Sequence, residues 1–238
     1  MKDLIEHNIR LVFVSATMQT QIGELMSWGD HHQIVKMTIP ENYMGHDGGI
    51  IRDYYEVNDL TSAERWIKED ILDNYGIGDP RVSTIRTTER NRRFIRDACA
   101  KFDIEYHDYT SKNKITPEEM DNIFMNVTKH TVIAVKGLLT RSDLIPNKWK
   151  LKAGAVMERK IRGNNVNITV NIQGLPGRYT GYWKDVFTNN PNHKFGPIRC
   201  SMDAVRLHEA FYANPEEVLL GTTSGNFVGT KRKHNNHS

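Results

Sequence analysis

The sequence predicts an α/β protein: a parallel sheet with helices on both faces. Three observations lead there. The runs at 11–14 (Leu-Val-Phe-Val) and 131–135 are continuously apolar or β-branched rather than alternating, as strands covered on both sides are. Between such runs fall stretches with apolar residues at helical spacing. The two kinds of segment alternate along the chain, and that alternation is what right-handed crossovers in a parallel sheet require.

Each element has a local reason. After the strand at 11–14, residues 19–28 place Ile22, Leu25 and Met26 at helical spacing, and Gly29-Asp30 stops them. A further strand is expected at 33–39. Residues 40–49 hold one Pro and three Gly with no period, which marks a linker and the best domain boundary. A helix over 62–75 carries Ala63, Trp66, Ile67, Ile71 and Leu72 on one stripe, with Thr61 or Ser62 as its cap. Gly76 to Pro80 turn the chain into a strand at 81–87, and a helix at 88–102 follows with Phe94, Ile95, Ala98 and Phe102 inward. The unit then repeats: a strand at 104–109, a helix opening at Thr116-Pro117 with Glu119 as capping partner, and a strand at 130–135. A strand at 153–157, a stretch from Val166 to about Pro176 that leads into a short helix, and a late helix at 202–212 complete the reading.

Composition narrows the class. The chain has 238 residues, is 38 % hydrophobic and 26 % charged, and its longest apolar runs fall far short of the roughly 20 residues that cross a bilayer. Neither a membrane span nor a secretory signal is expected, since Glu6 and His7 interrupt the opening residues, so the expected location is intracellular with no membrane partner. Cys99 and Cys200 have no metal-site or disulfide spacing and read as reduced, buried thiols. The net charge of +3 tolerates a polyanionic partner without requiring one. The tail from Lys231 to Ser238 is basic and aperiodic, and reads as a disordered end.

In a parallel sheet, ligands meet the carboxyl ends of the strands, which directs attention to the residues after Val14, Ile85, Val135 and Met157. Ser15 and Thr17 follow the first; Arg86, Thr87, Thr88 and Arg90 follow the second; Lys136, Gly137 and Arg141 follow the third. Small hydroxyls, a glycine and basic groups recur where a phosphate could approach. One at a time they read as helix caps and solvated cations; together they form a pattern. Further on, Gln173-Gly174-Leu175-Pro176-Gly177-Arg178 sets an arginine among glycines, where backbone can approach a ligand closely. Arg178 is the candidate for stabilising charge on a transferred phosphoryl group.

These segments resemble, in order, motifs of superfamily-two DNA and RNA helicases. Ser15-Ala16-Thr17 is similar to the third motif, 82–87 to the fourth, 130–146 with Lys136-Gly137 to the fifth, and 173–182 with Gln173, Gly177 and Arg178 to the sixth. The proportions are closest to the large-DNA-virus and bacteriophage branch. The resemblance implies a RecA-like lobe of the P-loop NTPase type. Arg178 would then be an arginine finger positioned by Gln173. Gly177, Gly137, Ser15 and Thr17 would lie by the nucleotide, and Arg86, Thr87, Lys136 and Arg141 on the nucleic-acid backbone. The pattern departs from the family in two places. Three residues separate Gln173 from Gly177, with Tyr182 where a second arginine is common, and the fifth motif lacks its usual Asp.

No Gly-x-x-x-x-Gly-Lys-Ser/Thr occurs, and no Asp-Glu motif precedes Ser15. The resemblance therefore implies the end of a first lobe at 1–40, a linker at 41–58, the second lobe at 59–212 and a polar tail at 213–238. ATP and Mg²⁺ would belong to the complete two-lobed enzyme, with none bound stably by this chain alone and no metal site of its own. The partners implied are DNA or RNA, without sequence preference, and the missing first lobe. Two alternatives stay open: a non-catalytic nucleic-acid- or protein-binding module on a degenerate lobe, and a small α/β enzyme acting on a phosphate ligand. The second should offer a general acid or base, and the histidines supply no obvious one; adjacent His31 and His32 would point apart on a strand.

Overall fold

In chain order the elements are β1 (Tyr43–Met44), β2 (Ile51–Asp53), a composite helix α1, β3 (Val82–Arg86), α2 (Glu89–Lys101), β4 (Glu105–Thr110), α3 (Pro117–Met125), β5 (Thr131–Lys136), α4 (Asn147–Lys150), β6 (Ala153–Met157), β7 (Gly181–Tyr182), β8 (Ile198–Cys200) and α5 (Met202–Ala213). Helix α1 runs as an α-helix over Leu60–Trp66, a π-helical stretch over Ile67–Leu72 and a last α-turn over Asp73–Tyr75. The computed structural model describes residues 33, 35, 38–45, 50–139, 145–160, 174–185, 189 and 195–213. The chain divides into two units, Ile39–Arg206 and Met1–Thr38 with Leu207–Ser238; the sheet belongs to the first.

Among the described residues, six strands form one sheet in the order β2-β8-β6-β3-β5-β4, and all five pairings are parallel. The α/β class with helices flanking a parallel sheet is therefore the architecture of this chain. Central strands β3, β5 and β6 are buried along almost their whole length, which is why they lack polar alternation. The crossover from β3 outward to β4 and the return from β4 to β5 run in opposite directions, so right-handedness puts α2 and α3 on opposite faces. On one face Trp66, Ile67 and Ile71 of α1 and Ile95, Ala98 and Cys99 of α2 pack on Ile85, Val132, Ala134, Ala155 and Met157. On the other, the buried Tyr179 hydroxyl lies 2.9 Å from Thr84 Oγ1 in the middle of β3.

The predicted boundaries shift for local reasons. The cap of α1 is Asp59, whose carboxylate accepts the Ser62 N–H at 2.7 Å, so the serine expected at the cap is the reciprocal partner three residues in. Thr88 caps α2 and Thr116 caps α3, with Glu119 accepting the Thr116 N–H at 2.8 Å. Two strands, β1 and β2, lie in the stretch read as linker; β2 is the sheet's edge and β1 pairs with β7 as a separate antiparallel ribbon. The strand expected at 11–14 and the helix at 19–28 lie outside the described residues, as does the tail beyond 213. Of 33–39, the described residues Gln33, Val35, Thr38 and Ile39 are not in a strand, and of 166–176 only 174–176 are described.

Strand β6 carries one extra residue opposite β3, because Val82 pairs with Ala153 but Thr84 pairs with Val156. The bulge turns the Ala155 N–H to the Ser83 hydroxyl at 3.0 Å. Gly154 is required there: a Cβ would come within 2.5 Å of Ser83 Oγ and 2.9 Å of Arg81 Cβ. Both cysteines are free and buried, and burial pushes their thiols up to about 12, which leaves them protonated and unreactive at neutral pH. Among the described residues, no helix is long and apolar enough to cross a membrane.

Candidate functional site: a cationic crevice at the strand ends

The chain leaves β3 toward β5 and β4, and leaves β6 toward β8 and β2, so the strand order reverses between β3 and β6. Side elements cannot close over the carboxyl end of such a switch point, and a crevice opens there. It has a volume of about 370 Å³. Its walls are the ends of β3 and β6, the segment 55–58 that follows β2, and the first turn of α2. Arg86, Arg90, Arg159 and Lys160 line it against Glu56 and Glu158, and the positive end of the α2 dipole adds to the excess of positive charge. Such a surface suits a phosphate or another anion.

The floor is a hydrogen-bonded set of buried groups. Arg86 ends β3, and its guanidinium donates to the Leu138 carbonyl and, at 3.0 Å, to the Leu139 carbonyl. Its Nε faces Glu158 Oε1 at 3.3 Å, and its side chain is only 11 % exposed. Glu158 follows β6 and is buried; Oε1 also accepts the Arg159 N–H and Oε2 the Leu175 N–H, each at 3.0 Å. The loop that Arg86 holds needs two left-handed residues, Gly137 at φ 73° and Leu139 at φ 51°. Gly137 faces open space, so its role is conformational.

The other predicted residues fall as follows. Thr87 is buried, and both its N–H (2.8 Å) and its hydroxyl (3.3 Å) bond the Val135 carbonyl at the end of β5. Lys136 is half-exposed and pairs with Glu89 at the start of α2, and that bond holds the Glu89 carboxyl below its usual range. Gly177 and Arg178 lie in a 3₁₀ turn, Pro176–Arg178, where Arg178 Nε donates to the Gly174 carbonyl at 3.3 Å. The structure thus brings Arg86, Thr87, Lys136 and Gly137 to one end of the sheet, and Glu158 links that end to the segment carrying Arg178. Ser15, Thr17, Arg141 and Gln173 lie outside the described residues. Sequence reasoning missed Glu158, Arg159 and Lys160, although they directly follow Met157, one of the strand ends it had singled out.

Beside the Arg178 turn, Lys150 is buried, and its Nζ donates to the Thr180 carbonyl at 2.6 Å and to Asn147 Oδ1 at 3.2 Å. Gly181, at φ 135°, leaves room for it, since a Cβ would come 3.0 Å from Nζ. Burial first, and the Arg178 charge second, push the Lys150 ammonium down to about 8. Below pH 8 both the folded and the unfolded chain hold this proton, and the full cost of burying the charge is present. Between pH 8 and about 10.4 only the unfolded chain keeps it, so this residue's contribution to stability rises with pH. Denaturation midpoints measured at both ends of that window should show wild type gaining on Lys150→Met as pH rises; a constant difference would contradict the shift. Thiols and tyrosines that titrate nearby are common to both proteins and cancel.

The chain matches no protein-family model, and no curated protein is significantly similar to it. The class rests on the fold and the crevice themselves: an α/β protein with a six-stranded parallel sheet and a cationic cleft at its switch point. Among the described residues, no group of three or more His, Cys, Asp or Glu is placed to hold a metal ion.

Proposed function

We propose that this chain is the second, RecA-like motor lobe of an ATP-dependent nucleic-acid helicase or translocase. One observation carries the reading: the crevice at the β3/β6 switch point, with Arg90, Arg159 and Lys160 around it and the left-handed loop of Lys136 to Leu139 beside it. The order of motif-like segments in the sequence supports it. On this reading the nucleic-acid backbone lies along the strand ends, ATP lies between this lobe and the first, and Arg178 reaches the terminal phosphate with Gln173 as its positioner. Closure of the lobes would then couple hydrolysis to movement along the strand. Arg86 serves the backbone indirectly, by holding the loop.

Contacts of this kind carry no sequence information, so binding should be sequence-tolerant and salt-sensitive. Fluorescence anisotropy with single-stranded oligonucleotides should give a log K that falls linearly with log salt. Arg90→Ala and Lys160→Ala should each reduce that slope by about 1 without changing base preference. Absence of binding at low salt, or unchanged slopes in both variants, would remove the crevice from the nucleic-acid path.

A second reading has one observation in its favour. Arg86 and Arg178 both donate to main-chain carbonyls in this structure, as they would in a nucleic-acid-binding module without ATP turnover. Turnover by the two-lobed enzyme separates the two.

A further inference from the structure

We propose that Glu158 is a positioning residue that couples the loop of Lys136 to Leu139 to the turn carrying Arg178, and that an anion in the crevice works the coupling by competing for Arg86. The functional meaning of this coupling rests on the reading above; the coupling itself does not.

The bonds form an unbroken path. The carbonyls of Leu138 and Leu139 accept from the Arg86 guanidinium, Arg86 pairs with one oxygen of Glu158, and the other oxygen accepts the Leu175 N–H. Leu175 in turn accepts the Arg178 N–H at 3.1 Å, which closes the turn. Every side chain on the path is buried or nearly so: 11 % exposure for Arg86, 2 % for Glu158, and none for Leu175. A buried ion pair is a poor device for stability alone, because desolvating both charges offsets most of their attraction. Here a single carboxylate serves three separate donors, and its two oxygens divide between the loop side and the turn side. Reorienting it toward one side weakens the other.

Arg86 and Glu158 also line the crevice, so a ligand there meets both. A phosphate oxygen competes with the carboxylate for the same guanidinium, in a charge-assisted bond of the same kind. When Arg86 turns to the phosphate, Glu158 Oε1 keeps only the Arg159 N–H of its two donors, the carboxylate loses its charged partner, and the acceptor of the Leu175 N–H is held less firmly. The signal passes from the strand ends to the Arg178 turn through one side chain. The free-energy source is the differential affinity of the anion for the state with Arg86 released.

Amide hydrogen exchange tests this in two arms. In the free protein, Arg86→Lys and Arg86→Ala touch nothing in the turn, yet each should speed exchange at Leu175 and Arg178 by about tenfold, with the β5 amides unchanged as a folding control. If the turn amides stay within about twofold of wild type in a folded variant, the coupling does not exist, whether or not nucleic acid binds. In the second arm, a single-stranded thymidine oligonucleotide at low salt should speed turn exchange in wild type. It should do so much less in Glu158→Gln, which keeps an acceptor for Leu175 but loses the charge. An equal response in Glu158→Gln and wild type overturns the role of Glu158. Failure of the oligonucleotide to bind wild type overturns the motor-lobe reading instead, and the first arm still decides the coupling.

Discussion

Replacing Asp70 by alanine should cost about 3–5 kcal/mol of stability. Asp70 is fully buried in the π-helical stretch of α1. One oxygen accepts from Arg52 at 2.6 Å and from Arg199 Nη2 at 3.0 Å, and the other accepts from Arg199 Nε. Arg199 stands on β8 with its side chain 8 % exposed, and it further donates to Glu69 at 2.7 Å and to the Asp53 carbonyl at 3.1 Å, with the Tyr55 ring 4.8 Å away. Removing the carboxylate therefore leaves a buried guanidinium short of its main counter-charge, which costs far more than the pair contributes when intact. Glu69 remains within reach of Arg199 but is partly exposed and also serves Arg65, so it replaces only part of the loss. Asp70→Asn keeps an acceptor and should cost distinctly less. Urea denaturation with an unchanged m-value measures both. A loss below about 1 kcal/mol for Asp70→Ala would mean that water or Glu69 fully compensates.

That network also marks the limit of what could be read in advance. Helix α1 was legible from its apolar stripe, because helical spacing is a local signal. Its π-helical stretch was not, since nothing in Ile67–Leu72 departs from helical patterning; what the stretch achieves, turning Asp70 toward β8, involves a residue far along the chain. Strands β2 and β8 have three residues each, too few for a period, and β8 follows Gly196-Pro197, which reads as a turn. The central strands were legible because burial on both faces leaves a continuous apolar run. At the site, position was legible and partnership was not. Strand ends pointed to Arg86, Lys136 and Gly137, and all three are at the crevice end of the sheet. That Arg86 is spent on Leu138, Leu139 and Glu158 depends on where a loop and a neighbouring strand arrive in space. Glu158-Arg159-Lys160 look, in sequence, like an ordinary solvated turn; only the topology makes the first of them a buried hub.

In the two-lobed enzyme that the proposal calls for, Arg178→Ala should lower ATP turnover by about 10³-fold or more, with the chief loss in kcat. The reason lies in where the charge is needed. Charge on a transferring phosphoryl group develops in the transition state, so a guanidinium aimed at it contributes there and little to ground-state binding. On that proposal, the short turn Pro176–Arg178, with Gly174 and Gly177 beside the arginine, fixes its backbone, and its Nε bond to the Gly174 carbonyl, at 3.3 Å, would be exchanged for one to a phosphate oxygen. Lys150 lies near enough for its ammonium to be disfavoured by the Arg178 charge. Arg178→Lys should recover only a small part of the rate, because an ammonium on a shorter reach cannot reproduce the planar fork. Steady-state ATP hydrolysis with saturating oligonucleotide measures all three proteins. Turnover that survives Arg178→Ala unchanged would exclude this residue from the chemistry. Oligonucleotide binding that persisted without turnover in wild type would leave the crevice as a binding site for a polyanion, with the lobe acting as a module rather than a motor.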